Sequence, residues 1–455
     1  MTLAASADTG YTPDITDHTP GITRLPPGPH LPGWMQAALT GFRPPLYFRL
    51  CQRRYGDIIR MRMPLTLDYV YVADPEAVRT VFRGDPSVFH AGEANGSILE
   101  PILGPHSVLV TDETEHTRQR RLMAPPFHGS AVRKQTDVMA DIAAAEIDHW
   151  PLNRPFPVLP AMRRLTLEVI LRAVIGAEKD DRLAHLRQVL PPVVDIAAID
   201  LLAVGYPKLR NFWPWSRLQV KRSRADDALY DEIANCRSDP DLDDRTDVLA
   251  MLVRATDEDG SSMSDEELRD QLMTLLLAGH ETTATGLAWT FERLTRHPAV
   301  LRRAQQAAID DDDAYLDNVV TESLRVRPVI ADVARRLTAD VELNGYRIPT
   351  GTVVAPAILL IQTDERVYPY ANKFNPDRWN GQHPDPFTWL PFGGGNRRCL
   401  GAAFATTEMR VVLKEALRRV EFAPTSAKGE RARIRHVTFV PNKGGVVSVS
   451  RRRRQ

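Results

Sequence analysis

A run of glycines that leads to a lone cysteine constrains this chain more than any other feature. Residues Pro391 to Gly401 read Pro-Phe-Gly-Gly-Gly-Asn-Arg-Arg-Cys-Leu-Gly, and apolar residues at helical spacing follow them. Glycines let a backbone adopt left-handed angles and lie close to a flat partner. The neighbouring arginines and the N–H groups at a helix start favour the thiolate form of Cys399. The loop therefore predicts a site that holds a sulfur anion.

The number and spacing of the cysteines limit what such an anion binds. The chain has 455 residues and three cysteines, Cys51, Cys236 and Cys399, which are far apart in sequence. Zinc normally takes about four protein ligands, often several cysteines at short spacing, and an iron–sulfur cluster needs about four cysteines. A single thiolate is enough where the metal brings its other ligands with it, as haem iron does.

The stretch from Phe392 to Gly401 resembles the haem-binding loop of the cytochrome P450 family, and every fixed position of that pattern is filled. The resemblance implies a mainly α-helical fold with small β-sheets, in which haem b lies between two buried helices. It implies that Cys399 is the axial ligand of the iron and that Phe392 and Arg397 contact the haem. For the loop alone, the alternative is a surface glycine turn beside a buried free cysteine.

A second motif lies inside the longest apolar run, Leu272 to Trp289, which predicts a buried helix. Ser264-Asp265-Glu266-Glu267 precedes it as a capping signature, and Thr295-Arg296-His297-Pro298 ends it. The motif is Ala278-Gly279-His280-Glu281-Thr282-Thr283, and its acid and hydroxyl groups are costly to bury. A glycine weakens such a helix by roughly 1 kcal/mol, so we expect an offsetting role.

The motif resembles the oxygen-activating helix of the same family. The resemblance implies that Ala278 and Gly279 leave room for dioxygen beside the haem, and that Thr282 and Glu281 deliver protons. A purely structural alternative has Thr282 bonding back to a carbonyl one turn earlier, with Glu281 at a helix kink.

Further basic residues match positions that hold the haem propionates in the family. His116 and Arg120 lie one turn apart on a helix that Thr111-Asp112-Glu113 is predicted to cap, so they can reach a common anion. Arg335 resembles the family's strand arginine, although Arg336 leaves the register open by one residue. For His116 and Arg120 alone, the alternative is a solvated helix face.

A separate trio of charges is predicted to support the cysteine loop. Glu322 and Arg325 lie three apart in a helix predicted from Tyr315, and Arg378 follows downstream in Phe374-Asn375-Pro376-Asp377-Arg378. An exposed pair of this kind contributes little. The family buries such a pair with a later arginine, so the resemblance implies a structural network of Glu322, Arg325 and Arg378.

The rest of the chain carries less specific signals. We predict a hairpin over Tyr55–Ala73, a helix that starts at Asp74-Pro75-Glu76, an irregular stretch over Phe89–Val110, mostly helix over Ala131–Arg254 and a hairpin around Asn344-Gly345. The family resemblance implies that a substrate would be faced by Ile98, Leu99, Val329, Ile330, Val333 and the turn Phe439–Gly445. The cluster Phe212-Trp213-Pro214-Trp215 is either a substrate-side lip or ordinary packing.

Composition excludes several classes of protein. Lys plus Arg and Asp plus Glu both number 58, so no net charge draws the chain to nucleic acid or a membrane surface. Residues 1–24 show no signal peptide or membrane anchor and predict a flexible extension. We expect a single domain over residues 25–450 and a basic tail over residues 451–455. The dispersed cysteines favour a reducing, cytoplasmic location. Members of the resembling family from the eukaryotic endoplasmic reticulum carry an N-terminal anchor, so its expected absence favours a bacterial-type enzyme.

The predicted activity is monooxygenation of a small hydrophobic substrate with O2. The chain has no flavin or iron–sulfur segment, so electrons would come from a ferredoxin or flavodoxin-type donor with its NAD(P)H reductase. Arg118, Arg121 and Arg398 are expected to form a basic docking surface, and a monomer is expected. The alternatives are a haem-thiolate isomerase, dehydratase or peroxygenase, or a haem-binding sensor or carrier.

Overall fold

The computed structural model describes residues 25–42, 44–62, 68–195 and 216–452, and helices dominate these ranges. The α-helices, in chain order, are α1 Gly33–Phe42, α2 Pro44–Tyr55, α3 Pro75–Arg83, α4 Ala91–Leu103, α5 Glu113–Met123, α6 Gly129–Arg133, α7 Thr136–Asp148, α8 Leu159–Val169, α9 Asp180–Val189, α10 Pro191–Val194, α11 Ser216–Arg237, α12 Val248–Arg254, α13 Asp265–Thr295, α14 Pro298–Ile309, α15 Asp313–Val326, α16 Ile358–Ile361 and α17 Ala402–Arg419.

The strands are short. They are β1 Ile58–Arg62, β2 Asp68–Val72, β3 Phe89–His90, β4 Pro155–Pro157, β5 Arg335–Leu337, β6 Val341–Leu343, β7 Tyr346–Ile348, β8 Val353–Pro356, β9 Val420–Phe422, β10 Ala432–Arg435, β11 Thr438–Pro441 and β12 Val446–Arg452. One sheet has the order β1-β2-β8-β5-β3, a second has the order β4-β12-β9, and two hairpins pair β6 with β7 and β10 with β11. The predicted class, mainly α with small sheets, is confirmed.

Helix α13 is the central element of the core, and its sequence signals fix both ends. Ser264 and Glu267 form the predicted capping box, each side chain accepting the other's backbone N–H. The helix ends at Thr295, and Pro298 opens α14 three residues later. Most of its residues are buried, including Trp289, so its stability comes from packing against its neighbours.

Helix α17 follows the cysteine and packs against α13. The apolar residues that predicted it are buried on one face: Phe404, Met409, Val412, Leu413, Ala416 and Leu417. Gly286 permits the close approach, because a Cβ atom there would lie 3.0 Å from the Cε atom of Met409. These are the two buried helices that the sequence predicts on either side of the haem.

The predicted hairpins are confirmed. Strands β1 and β2 pair antiparallel, with Ile58 opposite Val72. In the β6–β7 hairpin, Asn344 and Gly345 have φ angles of 47° and 77°, as a type I′ turn requires. Asp74 caps α3 by accepting from the N–H of Ala77 at 2.8 Å.

The prediction of an irregular stretch over residues 89–110 is wrong, because strand β3 and helix α4 form there. Glycines and Pro101 disfavour a helix locally, and a distant carboxylate offsets this. Asp112 accepts from the N–H groups of Gly92 and Glu93 at 2.9 and 2.8 Å. Asp112 therefore satisfies the start of α4 and makes no side-chain cap on its own helix, α5.

The chain ends differ in part from expectation. Strand β12 extends to Arg452, and Arg451 lies opposite Glu421 of β9, so the predicted basic tail begins later than residue 451. The predicted N-terminal extension, the cluster at residues 212–215 and residues 453–455 lie outside the described ranges. None of the described helices combines the length and apolar character that crossing a bilayer requires.

A buried acid on α17 leads to a prediction about pH. Glu408 is 3% exposed, and its Oε1 atom has no hydrogen-bond partner in the described part of the chain. Burial raises its pKa from 4.5 to about 8. Between pH 4.5 and about pH 8, Glu408 keeps its proton in the folded protein but has lost it in the unfolded chain. The free energy of unfolding therefore falls as pH rises through this range and levels off above about pH 8.

We expect Glu408→Gln to remove this pH dependence. As the pH rises from 5 to 8, the unfolding free energy of the wild type should fall by about 3–5 kcal/mol relative to that of the variant. Urea unfolding at several pH values measures it. Glu415→Gln on the same helix, where Glu415 pairs with Arg419 at 3.0 Å, is the control and should show no such shift. Parallel curves for Glu408→Gln and wild type would contradict the prediction.

Candidate active site

The cysteine loop lies directly against helix α3, and its glycines make this contact possible. Gly393 and Gly395 have φ angles of +64° and +66°, a region that favours glycine. A Cβ atom on Gly394 would overlap the ring of Phe82, and one on Gly395 would overlap the carbonyl oxygen of Phe82. The loop therefore follows the surface of α3 before it reaches the cysteine.

Cys399 lies between this loop and the start of α17. Its N–H donates to the carbonyl of Phe392 at 2.8 Å. Burial raises the pKa of the thiol, and the N–H of Gly401 with Arg120 and Arg398 only partly opposes the shift. The arginines and this N–H therefore favour the thiolate, as predicted, and burial opposes them. The side chain nevertheless keeps accessible surface, so it lines an internal space.

The predicted propionate-binding residues converge beside the loop. His116 is buried, and burial together with Arg397, Arg120 and Arg335 lowers its pKa to about 3. Burial also lowers the pKa of Arg335 and of Arg397 to about 10. Asp112 pairs with Arg397 and offsets part of the positive charge. The remaining charge suits an anion that carries more than one carboxylate.

The structure decides between the two adjacent arginines of strand β5. Arg335 is 5% exposed and lies with His116 and Arg397, donating to the carbonyl of Ala334 at 2.8 Å. Arg336 is turned away, with Nε 3.6 Å from a carboxylate oxygen of Glu93. Arg335 is therefore the one that joins the cationic cluster.

The motif on α13 interrupts an otherwise buried helix. Ala278 is exposed, and Gly279, Glu281 and Thr282 keep partial exposure, although the helix crosses the core. The hydroxyl of Thr282 donates to the carbonyl of Ala278 at 2.5 Å. This is the bond that the structural alternative requires, and it leaves the hydroxyl oxygen free to accept a hydrogen bond from a donor.

Glu281 has a partner that the sequence did not indicate. Arg163 of α8 donates to its Oε1 atom at 2.6 Å, and Nε of Arg435 on β10 lies 3.8 Å from the same oxygen. Both arginines are more than a hundred residues away, so no local pattern could have revealed them. The carboxylate is held toward α8 by this pair.

The residues predicted to face a substrate are only partly brought together. The N–H of Phe439 donates to the carbonyl of Val329 at 2.7 Å, which joins two of the predicted segments. Both side chains are buried, whereas Ile330 and Val333 keep partial exposure. Ile98 on α4 is 44% exposed.

The predicted structural network is confirmed and is connected to the cysteine loop. Arg325 donates twice to Glu322, each bond 2.8 Å long, and both side chains are fully buried. Nε of Arg378 lies 3.6 Å from Glu322. Arg325 also donates to the carbonyl of Gln362 at 2.7 Å, and the side chain of Gln362 accepts from the N–H of Leu390 at 2.8 Å. Leu390 directly precedes the loop.

Glu322 also has two partners that the sequence did not predict. The indole of Trp379 donates to Glu322 at 3.1 Å, and the N–H of Asn375 donates to the other carboxylate oxygen at 3.0 Å. Both carboxylate oxygens are thereby satisfied, as a buried charge requires.

The prediction of an open basic surface at Arg118 and Arg121 is wrong. Arg118 donates to Glu267 of α13 at 2.5 Å, and Arg121 lies 2.5 Å from Asp257 and also pairs with Glu258. These acids neutralise the surface where a docking patch was expected.

The arrangement fits a haem group. Cys399 offers a sulfur ligand from one side of an internal space, α13 offers small side chains at Ala278 and Gly279, and the cationic cluster suits propionates. The donor set is that of a haem with one protein thiolate ligand.

Comparison with known proteins agrees with this geometry. The family model described as Cytochrome P450 matches residues 26–447. The chain belongs to the cytochrome P450 family. The putative cytochrome P450 135B1 of Mycobacterium tuberculosis is 52% identical over 431 residues, covering 93% of this chain and 91% of the relative. The putative cytochrome P450 135A1 of the same species is 41% identical over 434 residues, covering 95% and 96%.

Solved P450 structures share the fold. A retinoic acid-bound cyanobacterial CYP120A1 has a TM-score of 0.80 at 23% identity, covering 93% of this chain and 99% of that one. The cytochrome P450DA heme domain has a TM-score of 0.80 at 24% identity, covering 94% and 98%. As a P450, the protein is an oxidoreductase that incorporates oxygen from O2, and its family uses haem iron with a cysteine thiolate.

Proposed function

We propose that this P450 inserts one oxygen atom of O2 into a small hydrophobic organic substrate, with Cys399 as the axial ligand of haem b. The observation that carries the proposal is the accessible stretch of α13, where Thr282 and Glu281 interrupt a buried helix. Isomerase, dehydratase and peroxygenase chemistry on this fold needs no proton delivery there. Haem, when bound, supplies the redox chemistry of dioxygen.

The cationic cluster would bind the propionates. Arg335 and Arg397 would each form charge-assisted hydrogen bonds, which are stronger than neutral ones. In the absence of a bound anion, burial and the neighbouring arginines lower the pKa of His116 to about 3, and even the neutral ring has one N–H to donate. Arg120 already donates to the carbonyl of Arg398 at 2.7 Å and would use its remaining N–H groups. Phe392 would pack beside the haem.

Thr282 and Glu281 would move protons toward the reacting oxygen. The hydroxyl of Thr282 is oriented by the carbonyl of Ala278, and its oxygen can accept from a water or an oxygen species. Glu281 pairs with Arg163, so it would have to leave this partner to pass a proton toward Thr282. Arg163 would thus restrain proton delivery between turnovers.

Electrons would arrive from a ferredoxin or flavodoxin-type donor with its NAD(P)H reductase. Because Arg118 and Arg121 are neutralised, we do not assign the docking surface to them. The protein would act as a cytoplasmic monomer, a location favoured by its three dispersed cysteines. Nucleic acid and a membrane anchor have no part in the proposal.

We expect Thr282→Ala to divert reducing equivalents from product to peroxide. The variant should bind haem and substrate and still oxidise NADPH with a surrogate ferredoxin and reductase. Product per NADPH should fall by about 10²-fold or more, because general acid–base steps contribute 10²–10⁴-fold. The substrate for the assay is any lipid, sterol, terpene or aromatic compound that shifts the haem spectrum and yields product with the wild type.

A matched control is available on the same helix. The hydroxyl of Thr290 donates to the carbonyl of Gly286 at 2.9 Å, one turn earlier, as Thr282 does to Ala278. Thr290→Ala should leave product per NADPH within about two-fold of wild type. Unchanged coupling in Thr282→Ala would remove its assigned role, and absence of NADPH oxidation by the wild type would favour a sensor or carrier.

A further inference from the structure

Helices α1 and α2, near the N-terminus, expose a concentration of apolar side chains. Twelve large hydrophobic residues are exposed in the described part of the chain, and five of them lie within residues 25–50: Leu25, Trp34, Leu39, Leu46 and Leu50. Trp34 is 68% exposed. Single exposed leucines are normal on a protein surface, but a concentration of apolar side chains marks a surface that contacts another molecule.

Helix α2 is apolar on two opposite faces. Phe48 and Cys51 are buried on its inner face and pack in the core. Leu46 and Leu50 lie one turn apart on the opposite face, where they are 49% and 53% exposed. Arg53 follows on the same outer face and is exposed. A helix that is apolar on both faces normally buries both, so the outer face of α2 suits an apolar partner.

Helix α1 adds apolar surface beside α2. Its ten residues include no charged side chain, and it packs against α2 and strand β1. Gln36 is fully buried and accepts from the N–H of Arg62 on β1 at 3.3 Å. Trp34 and Ala38 are exposed one turn apart on the opposite face. The exposure of Trp34 therefore belongs to a helix that is docked on the protein through its other face.

The same segment carries positive charge without acids. Residues 25–56 contain four arginines and no aspartate or glutamate, whereas the whole chain balances 58 basic against 58 acidic residues. Arg53 and Arg54 are exposed, and neither forms an ion pair within the described ranges. Arg49 differs, because a hydrogen-bonded asparagine side chain links it to Glu365. The charge available to a partner therefore lies at the end of α2, next to the exposed leucines.

Apolar side chains beside unpaired arginines match the interface of an anionic membrane. Leucine and tryptophan side chains enter the boundary between headgroups and acyl chains, and arginines meet the lipid phosphates. A second copy of the chain suits the surface less well. A two-fold contact sets the same patch of both copies against itself, so Arg53 and Arg54 would face like charges.

We propose that the outer faces of α1 and α2 bind the surface of a membrane that contains anionic phospholipids. Trp34, Leu46 and Leu50 insert to the depth of the headgroups, and Arg53 and Arg54 bind lipid phosphates. The contact is peripheral, since it involves only side chains of two docked helices. This inference goes beyond the proposed function and does not rest on it.

The test is co-sedimentation of the full-length, haem-loaded protein with lipid vesicles. One set of vesicles is phosphatidylcholine alone, and the other contains an equal part of phosphatidylglycerol. We expect the wild type to bind the mixed vesicles more tightly by about ten-fold or more. Binding should weaken as salt rises to 1 M, where the screening length falls to about 3 Å.

Substitution of the exposed leucines tests the apolar contact. Leu46→Gln with Leu50→Gln should weaken binding to the mixed vesicles by about ten-fold or more, because two apolar side chains lose their burial in lipid. Ile309→Gln on α14 is the matched control, since Ile309 is 49% exposed, as Leu46 is. It should leave binding within about two-fold of wild type.

Substitution of the arginines tests the charge. Arg53→Gln with Arg54→Gln should weaken binding to the mixed vesicles by about ten- to thirty-fold. Arg224→Gln with Arg302→Gln removes the same charge from exposed positions on α11 and α14 and should change binding less than about three-fold. The haem spectrum and the urea midpoint of each variant should match those of the wild type, because every substituted side chain is exposed.

Failure of the wild type to bind the mixed vesicles, or equal binding by the leucine variant and the Ile309→Gln control, overturns the proposal. A dimer that the leucine variant dissociates, without vesicle binding by the wild type, would assign the surface to a second copy and also overturn it. Sedimentation does not depend on turnover, so failure of the proposed oxygen chemistry would leave membrane binding measurable.

Discussion

Replacing Cys399 with His is expected to abolish the strongly red-shifted Soret band of the reduced, carbonyl-bound protein. That band depends on electron donation by an anionic sulfur, and a neutral imidazole nitrogen donates less. Cys399 is the cysteine with accessible surface, and Cys51 and Cys236 are buried in the core. Substitution of Cys399 should therefore change the spectrum completely, from a thiolate-type band to an ordinary one. Absorption spectra of the reduced protein with and without carbon monoxide measure it.

The other two cysteines provide the control. Both side chains are buried in the packed core, so neither sulfur is accessible to a haem iron. Cys51→Ala and Cys236→Ala should retain the red-shifted band in full. If Cys399→Ala also retains it, Cys399 is not the ligand and the proposed function fails with it.

Breaking the buried Glu322–Arg325 pair is expected to cost more stability than any exposed ion pair. Both side chains are fully buried, and Arg325 donates to three backbone carbonyls as well as to Glu322, those of Gln362, Ala371 and Lys373. Arg325→Ala would leave the buried carboxylate of Glu322 with only the longer ion pair to Arg378, and it would leave three carbonyls without this donor. Removing one partner of a buried pair costs about 3–5 kcal/mol. The urea midpoint of unfolding measures the loss, and haem content reports whether the cysteine loop is still held.

Arg347→Ala is a matched substitution at an exposed pair. Arg347 lies 2.8 Å from Asp340 on the surface, and exposed pairs contribute about 0–1 kcal/mol. Should Arg325→Ala fail to fold, Glu322→Gln keeps the shape of the site while leaving Arg325 unpaired, and it should still lower the midpoint clearly. Equal midpoints for Glu322→Gln and Arg347→Ala would show that the buried network is dispensable.

Local sequence signals predicted elements whose determinants lie close together in the chain. Ser264 and Glu267 specify the start of α13, and Asn344-Gly345 specifies a turn, because each involves neighbours only. The cysteine loop could be predicted for the same reason, because its glycines, arginines and cysteine lie within eleven consecutive positions. The roles of Glu322 and Arg325 required the family resemblance, because a helical acid–arginine pair is common on surfaces.

Ion pairs and hydrogen bonds between residues far apart in the chain could not be predicted from local sequence patterns. Arg118 looks free in the sequence, yet Glu267 neutralises it from another helix. Asp112 looks like an ordinary helix cap, yet it completes the start of α4 and pairs with Arg397. Helix α4 forms despite its glycines and Pro101, because such contacts outweigh the low helix propensity of these residues.

The connection from Arg325 through Gln362 to Leu390 has a consequence for biosynthesis. A ribosome releases the chain from its N-terminus, so α15 with its paired charges emerges before Gln362, and Gln362 emerges before the cysteine loop. Each new segment meets a partner already made, and the loop arrives at a prepared anchor. Helix α17, which closes the other side, is synthesised after Cys399. The candidate haem site is therefore complete only after residues 399–419 have been made.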